Sequence, residues 1–288
     1  MTGDPAAIAR ADISRLTDIP PSPRAKSTEN RTVYAIGDVH GCYAQLVGLL
    51  EAIVSDIVQN AGAAPPLLVF CGDYVDRGPA SASVLSALVW LSRHAVLDVV
   101  FLRGNHEVML LDFLDQPDQN LPWLRRDGVG TLASYGVALK DGSLDTLEAD
   151  CFALRDQLMD RIPASHLTFL RGLPVTATYG DYVFVHAGFR PGVPLARQDD
   201  EDCLWIGDEF LSADYRFDKV VVHGHSWRSD TPMLTRNRIG IDTGAYSTGV
   251  LTAVRLEGAR IAFLQSRLAT ATGPASATLR ADHGSGAL

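Results

Sequence analysis

Thr32-Val33-Tyr34-Ala35-Ile36-Gly37-Asp38-Val39-His40-Gly41 is the stretch whose reading decides the fold. A short run rich in β-branched and aromatic residues stops at glycine, which is the pattern of a short buried strand. Behind it Leu46, Leu49, Leu50, Ile53, Val54 and Ile57 recur at helical spacing. The order is therefore strand, loop, helix. The unit repeats: Leu67 to Phe70 stops at Cys71-Gly72 and a helix bearing Leu85, Leu88, Val89 and Leu91 follows Pro79. A third run, Val99 to Leu102, stops at Arg103-Gly104. Strands alternating with helices predict a parallel sheet covered on both faces, with functional groups in the loops beyond the carboxyl ends of the strands.

Working outward, the pattern changes twice. Residues 115–172 carry helical patterns around Phe152 to Met159 and His166 to Leu170, and are expected to form a helical cap inserted into the domain. From Pro174 onward the runs VTATYG, DYVFVHAG, KVVVHGH, PMLTRN, RIGIDTG, LTAVRLEG and ARIAFLQS predict a second sheet, opened by a hairpin. Residues 1–30, with Pro20, Pro21 and Pro23, and residues 269–288, poor in bulky apolar side chains, are expected to be flexible. One domain over 31–268 remains.

Composition narrows the function classes. The 288 residues are 47% hydrophobic and 20% charged, enough apolar material for a sizeable core. Mean hydropathy is +0.06. The net charge of −9, with basic residues scattered and not gathered in a stripe, argues against a nucleic-acid or anionic-membrane surface. Cys42, Cys71, Cys151 and Cys203 lie far apart, without CxxC pairing, which fits a reducing cytoplasm. The N-terminal residues lack an apolar signal core, and no run of about 18 apolar residues occurs.

Five segments set a metal-capable side chain beside glycine at a strand end: Gly37-Asp38-Val39-His40-Gly41, Gly72-Asp73-Tyr74-Val75-Asp76-Arg77-Gly78, Gly104-Asn105-His106-Glu107, His186-Ala187-Gly188 and His223-Gly224-His225. Oxygen and imidazole donors without thiolates suit Mn, Fe or Zn, and glycine lets the backbone bend to aim them at one point. Asp38 and His40 could hold one ion, Asn105, His186 and His225 another, with Asp73 as the bridge. A strand-end aspartate alone is more often a turn former or helix cap; the five segments in order carry the argument.

With these motifs the chain resembles the phosphoprotein phosphatases of the calcineurin-like metallophosphoesterase superfamily, whose signatures read GDxHG, GDxVDRG, GNHE, HAG and a late GH. It looks most like the bacterial and phage serine/threonine branch, including the stretch Asn237-Arg238-Ile239-Gly240-Ile241-Asp242-Thr243-Gly244-Ala245-Tyr246. The resemblance implies an α/β fold, a four-layer αββα sandwich of two mixed β-sheets flanked by helices. It implies two divalent ions, manganese first among them, held by Asp38, His40, Asp73, Asn105, His186 and His225. Such a pair readies a bridging hydroxide for direct attack on a phosphomonoester. His106 would protonate the leaving alkoxide, with Asp76 orienting its ring.

Arg77 would clamp phosphate oxygens, its alternative being an ion pair with a carboxylate. Arg103 could reach substrate or anchor Glu107 or the loop backbone, and Tyr246 could reach substrate or pack. His223 is expected in a supporting hydrogen bond or in packing, His94 and His166 at the surface or in the cap. One departure stands out: relatives usually carry a phosphate-contacting arginine shortly after a Leu-Trp pair, where this chain has Gly207 in Leu204-Trp205-Ile206-Gly207-Asp208-Glu209. Arg103, Arg190 and Arg228 are the candidates to replace it. The expected substrates are phosphoserine or phosphothreonine proteins or a small phosphoester. The alternatives are symmetrical diadenosine tetraphosphate hydrolysis and a catalytically silent metal-binding scaffold.

Overall fold

Tyr34 and Ile36 point to one side of their strand and Val33 and Ala35 to the other, and both sides are buried. That alternation is the key to the layers. In the computed structural model, residues 11–268 are described except 18, 22–24, 26, 61, 63 and 140–146. The first sheet has six strands in the order Ala11–Leu16 (β1), Arg260–Leu268 (β11), Val250–Glu257 (β10), Val33–Ile36 (β2), Leu67–Phe70 (β3) and Asp98–Phe101 (β4). β2, β3 and β4 are parallel, in register Val33 to Leu67 and Leu67 to Asp98, whereas β1, β11, β10 and β2 pair antiparallel. The second sheet runs Thr176–Tyr179 (β5), Tyr182–Val185 (β6), Val220–His223 (β7), Arg238–Gly240 (β9) and Met233–Leu234 (β8) and is mixed as well.

Val33, Ala35, Leu67 and Val69 meet Tyr182, Phe184, Val220 and Val222 between the sheets. Tyr34, Ile36, Leu68 and Phe70 meet the helices Tyr43–Gln59 (α1), Ser81–His94 (α2) and Asn105–Asp115 (α3). Leu46, Leu49 and Ile53 of α1 are at most 1% exposed, each contributing about 1.5–3 kcal/mol by burial. The outer face of the second sheet, through Val183, Val185 and Val221, packs on Cys203 of Asp200–Trp205 (α8) and Phe210 of Asp208–Leu211 (α9). The architecture is thus helices, sheet, sheet, helices.

Residues 115–172 are helical where described: Leu121–Trp123 (α4), a π-helical turn Leu124–Gly128, Val129–Ser134 (α5), Leu147–Arg161 (α6) and Ala164–Arg171 (α7). Trp123, Leu124, Leu132, Leu158 and Leu170 share the core of Tyr34 and Ile36, so this segment extends the helical layer over the first sheet. The N-terminal expectation needs amendment. Ala11–Leu16, inside the stretch expected to be flexible, is an edge strand paired with β11. Arg15 ties it to buried Asp56 of α1 at 2.5 Å. Residues 1–10 and 269–288 lie outside the described residues. All four cysteines are free and buried. No helix among the described residues is long and apolar enough to cross a membrane.

Candidate active site

The carboxyl ends of β2, β3, β6 and β7 open onto one place. Their loops carry five non-glycine residues in the left-handed region, His40, Asp73, Asp76, Arg77 and His225, with φ between 43° and 72°. Such backbones cost of order 1 kcal/mol or more each and persist where surrounding contacts over-determine them. Buried Glu107 supplies part of that restraint. Its carboxylate accepts the backbone N–H groups of Asp73 at 2.8 Å, Tyr74 at 2.7 Å and Gly104 at 2.9 Å. The backbone also comes so close to the ligands that a Cβ at Gly104 would collide with the Asp73 carboxylate, and one at Gly224 with that of Asp38.

The predicted ligand residues converge. His40 lies with Nε2 3.4 Å from Asp73 Oδ2, and His186 with Nε2 3.4 Å from Asp73 Oδ1. Asn105 Oδ1 is 2.8 Å and His225 Nδ1 3.2 Å from His186 Nε2. Asp38 joins through the His225 backbone N–H, which donates to its carboxylate at 2.9 Å. Asp73 thus stands between His40 on one side and His186 with His225 on the other. His40 and His186 each hydrogen-bond through Nδ1 to a carbonyl, Val75 and Cys71 respectively, both at 2.9 Å. That bond fixes the tautomer and leaves Nε2 as a bare donor atom.

The electrostatics ask for positive charge. Burial drives His40 and His225 down to about 3, so both imidazoles are neutral donors. Burial, then the neighbouring Asp242 and Asp73, raise Asp38 well above the carboxylate range. Burial raises Asp242 to about 7, and its Oδ2 is buried with no hydrogen-bond partner. Burial alone would raise Asp73 too, but the surrounding histidines, His186 first, hold it below its usual value. The carboxylates of Asp38 and Asp73, three neutral imidazoles and the Asn105 amide oxygen form the donor set of hard-to-borderline divalent cations, and the residues fit such ions.

His106 behaves differently from the other histidines. Burial lowers it, but Asp73 and the hydrogen bond to Asp76 outweigh that and raise it to about 9. Its Nδ1 is 2.6 Å from Asp76 Oδ2, and its Nε2 faces Asp73 Oδ2 at 3.8 Å. Its shift is thus opposite in direction to those of His40, His186 and His225.

The arginines separate. Arg77 sets Nη1 3.2 Å from His40 Nε2, lies 4.8 Å over the Tyr246 ring and pairs through Nε with Asp127 at 3.4 Å. Tyr246, 38% exposed, stands edge-on to His40 at 5.3 Å, at the rim. Arg103 Nη2 donates to the carbonyl of Arg171 at the end of α7 at 3.2 Å, neither to Glu107 nor to its own loop; Glu107 is held by backbone amides. Arg190 is enclosed by Asp202 at 2.5 Å and Glu209 at 3.0 Å. Arg228 is exposed, three residues past His225, with no ion pair among the described residues. His223 is buried against Phe210, His94 is exposed, and His166 is buried, with Tyr135 Oη 2.8 Å from its Nδ1. Beside Arg77 and Tyr246 a cleft of about 560 Å³ runs between the start of α1 and the helix Ala245–Thr248 (α10), and among the described residues Arg77 is the one charged residue lining it.

Sequence reasoning missed four groups. Glu107 has no role in the sequence reading; it takes the Gly104 backbone N–H, the half of a capping box that a glycine N-cap allows. Asp242, Trp123 and Thr131 had no local signal.

Residues 31–238 match the family model for calcineurin-like phosphoesterases, and the chain belongs to that family. Among curated relatives, serine/threonine-protein phosphatase 1 of Salmonella typhimurium is 29% identical over 241 residues, covering 81% of this chain and 96% of that protein. A symmetrical bis(5'-nucleosyl)-tetraphosphatase of Methylococcus capsulatus is 36% identical over 184 residues, covering 61% of this chain but 51% of that protein. A solved structure named as a "putative diadenosine tetraphosphatase" superposes with TM-score 0.57 at 22% identity, over 82% of this chain and 96% of its own; this likeness speaks to the fold. The chain is a metallophosphoesterase hydrolase, a family whose chemistry uses divalent metal ions.

Proposed function

We propose that the protein hydrolyses phosphomonoesters on serine and threonine residues of proteins, with two divalent cations, manganese first among them. When bound, the cations supply a nucleophilic water at neutral pH and neutralise phosphate oxygens. Asp38, His40 and Asp73 would hold one, and Asp73, Asn105, His186 and His225 the other. The rest is work for this chain's own side chains. Arg77, whose guanidinium projects between Asp127 and His40, offers two parallel N–H groups to the phosphate. His106 donates the Nε2 proton to the departing alkoxide, which is too basic to leave as an anion. Asp76, through the 2.6 Å bond to Nδ1, keeps the ring protonated and aimed. That assembled pair speaks against a silent scaffold.

The observation that carries the substrate choice is the cleft beside Arg77: among the described residues it has one cation along its length, enough for one phosphate. Its remaining lining, including Cys42, Tyr43, Pro79, Ala80 and Thr248, suits an uncharged stretch of polypeptide. A tetraphosphate bridge would want several cations; Arg103 and Arg190 are engaged elsewhere, and Arg228, though unpaired among the described residues, does not line this cleft. The names of the curated relatives divide between protein phosphatases and bis(5'-nucleosyl)-tetraphosphatases, which keeps symmetrical cleavage of diadenosine tetraphosphate as the second reading. The test is turnover of para-nitrophenyl phosphate, a phosphoserine peptide and diadenosine tetraphosphate with manganese, each with and without chelator. Chelator-sensitive release of phosphate from the peptide supports the proposal. Preferential conversion of diadenosine tetraphosphate to two molecules of ADP replaces it with the second reading, and no turnover of any substrate revives the scaffold.

A further inference from the structure

Asp76 is completely buried, and its carboxylate accepts three side-chain hydrogen bonds. Oδ2 receives His106 Nδ1 at 2.6 Å and the indole Nε1–H of Trp123 at 2.7 Å. Oδ1 receives the hydroxyl of Thr131 at 2.6 Å, and the same hydroxyl accepts the Asp76 backbone N–H at 2.9 Å. Two of these three side-chain donors come from the helical segment between β4 and β5, 47 and 55 residues along the chain. We propose that Trp123 and Thr131 are positioning residues for catalysis: their hydrogen bonds lock the Asp76 carboxylate in the orientation that aims the His106 imidazole at the leaving group. The inference rests on the reading of His106 as proton donor.

Three observations support a dedicated arrangement over incidental packing. Trp123 is itself fixed, 2% exposed and 4.9 Å from the Phe113 ring, while Gly128 lies so close that a Cβ there would press into the indole. Trp123 stands at the start of the π-helical turn Leu124–Gly128, and such turns re-aim side chains and recur at functional sites. The same turn contributes Asp127, which holds Arg77, the residue after Asp76. One short segment thus grips both members of the Asp76-Arg77 pair, whose left-handed backbones (φ 72° and 62°) need outside support.

Rotating the Asp76 carboxyl would sacrifice at least one charge-assisted bond, so the three donors act together. Removing one frees the carboxylate to turn and lets the imidazole drift, which matters only when a proton must be delivered. The leaving group therefore separates positioning from bulk structure. Phenolate from phenyl phosphate needs the proton; para-nitrophenolate leaves well without it.

The experiment measures kcat for phenyl phosphate and para-nitrophenyl phosphate with manganese, in the full chain carrying Trp123→Phe, which keeps an aromatic ring and deletes the N–H donor. The expected result is a loss on phenyl phosphate of about tenfold, as for other supporting hydrogen bonds at active sites. The ratio of the two kcat values should fall at least fivefold by the same reasoning. An equal loss on both substrates, or no loss on either, overturns the inference. Should Trp123→Phe fail to fold, Thr131→Val and Thr131→Ser decide: a lowered ratio in the valine variant, restored by serine, supports it, and equal ratios in the two refute it. His106→Asn is run alongside. If that variant lowers the ratio and the Trp123 and Thr131 variants do not, the positioning role alone is lost. If His106→Asn leaves the ratio unchanged, the proton-donor reading itself has failed.

Discussion

Replacing Gly207 by arginine should tighten phosphate binding, and the structure says by how much. A Cβ at Gly207 meets no atom within 4 Å, so a side chain has room to leave the backbone. One charge-assisted hydrogen bond to a phosphate oxygen contributes about 1.5–3 kcal/mol, which alone would lower KM by ~10- to 150-fold. The neighbours reduce this. Asp202 and Glu209 already enclose Arg190, and Glu209 remains 58% exposed, so a new guanidinium would spend part of its time on these carboxylates. A solvent-screened competitor of that kind costs up to about 1 kcal/mol, leaving a net gain of about 0.5–2 kcal/mol and a KM lowered roughly 2- to 30-fold. The assay is the KM for para-nitrophenyl phosphate and the inhibition constant of inorganic phosphate, both with manganese. Gly207→Ala is the control for backbone effects. Both constants should fall together, and their sensitivity to added salt should rise. A folded Gly207→Arg variant with both constants equal to those of Gly207→Ala would refute the reasoning, since it would mean that the position does not face the phosphate.

Other outcomes follow from the same geometry. Asp73→Asn, which weakens the carboxylate between His40 and His186, should lose both bound metal by elemental analysis and turnover, whereas His106→Asn should keep the metal and lose turnover most with poor leaving groups. In chelator-treated protein, His106 is raised to about 9 from 6.5, so its ionised pair with Asp76 stabilises the fold fully below pH 6.5 and is lost as pH rises through about 9. Urea unfolding at pH 6 and pH 10 should therefore differ less for His106→Gln than for the unaltered chain. Far from the site, Asp56→Ala should cost about 3–5 kcal/mol in urea unfolding, because it takes the buried carboxylate from the Tyr34 hydroxyl and leaves the Arg255 guanidinium, 11% exposed, with Glu257 at 3.1 Å in its place. A loss under about 1 kcal/mol would show that the cluster is not coupled to folding.

Much of the site was legible because its residues sit where apolar runs break at glycine. Asp38, Asp73 and Asn105 follow Gly37, Gly72 and Gly104 directly, and a parallel sheet sends such loops to one edge. What stayed hidden depends on partners distant in sequence. Ala11–Leu16 shows four successive exposed residues, carries no alternation of its own and is held by pairing with Arg260–Leu268 and by Arg15 on Asp56. Trp123 and Thr131 carry no local signal in their helical segment, and only folding brings them to Asp76. Arg190 was an equal candidate for phosphate contact until Asp202 and Glu209 closed around it. The burial of His166 between Tyr135 and Ser86 likewise has no trace in its helical spacing.

The grip of Leu121–Ser134 on Asp76 and Arg77 makes this stretch a poor candidate for exchange as a module. A chimera that imports the corresponding segment from another phosphoesterase would inherit a working proton relay only if an indole and a hydroxyl arrive at the depths of Trp123 and Thr131. With Asp127, which holds Arg77, the engineer of such hybrids has three fixed anchor points to carry over.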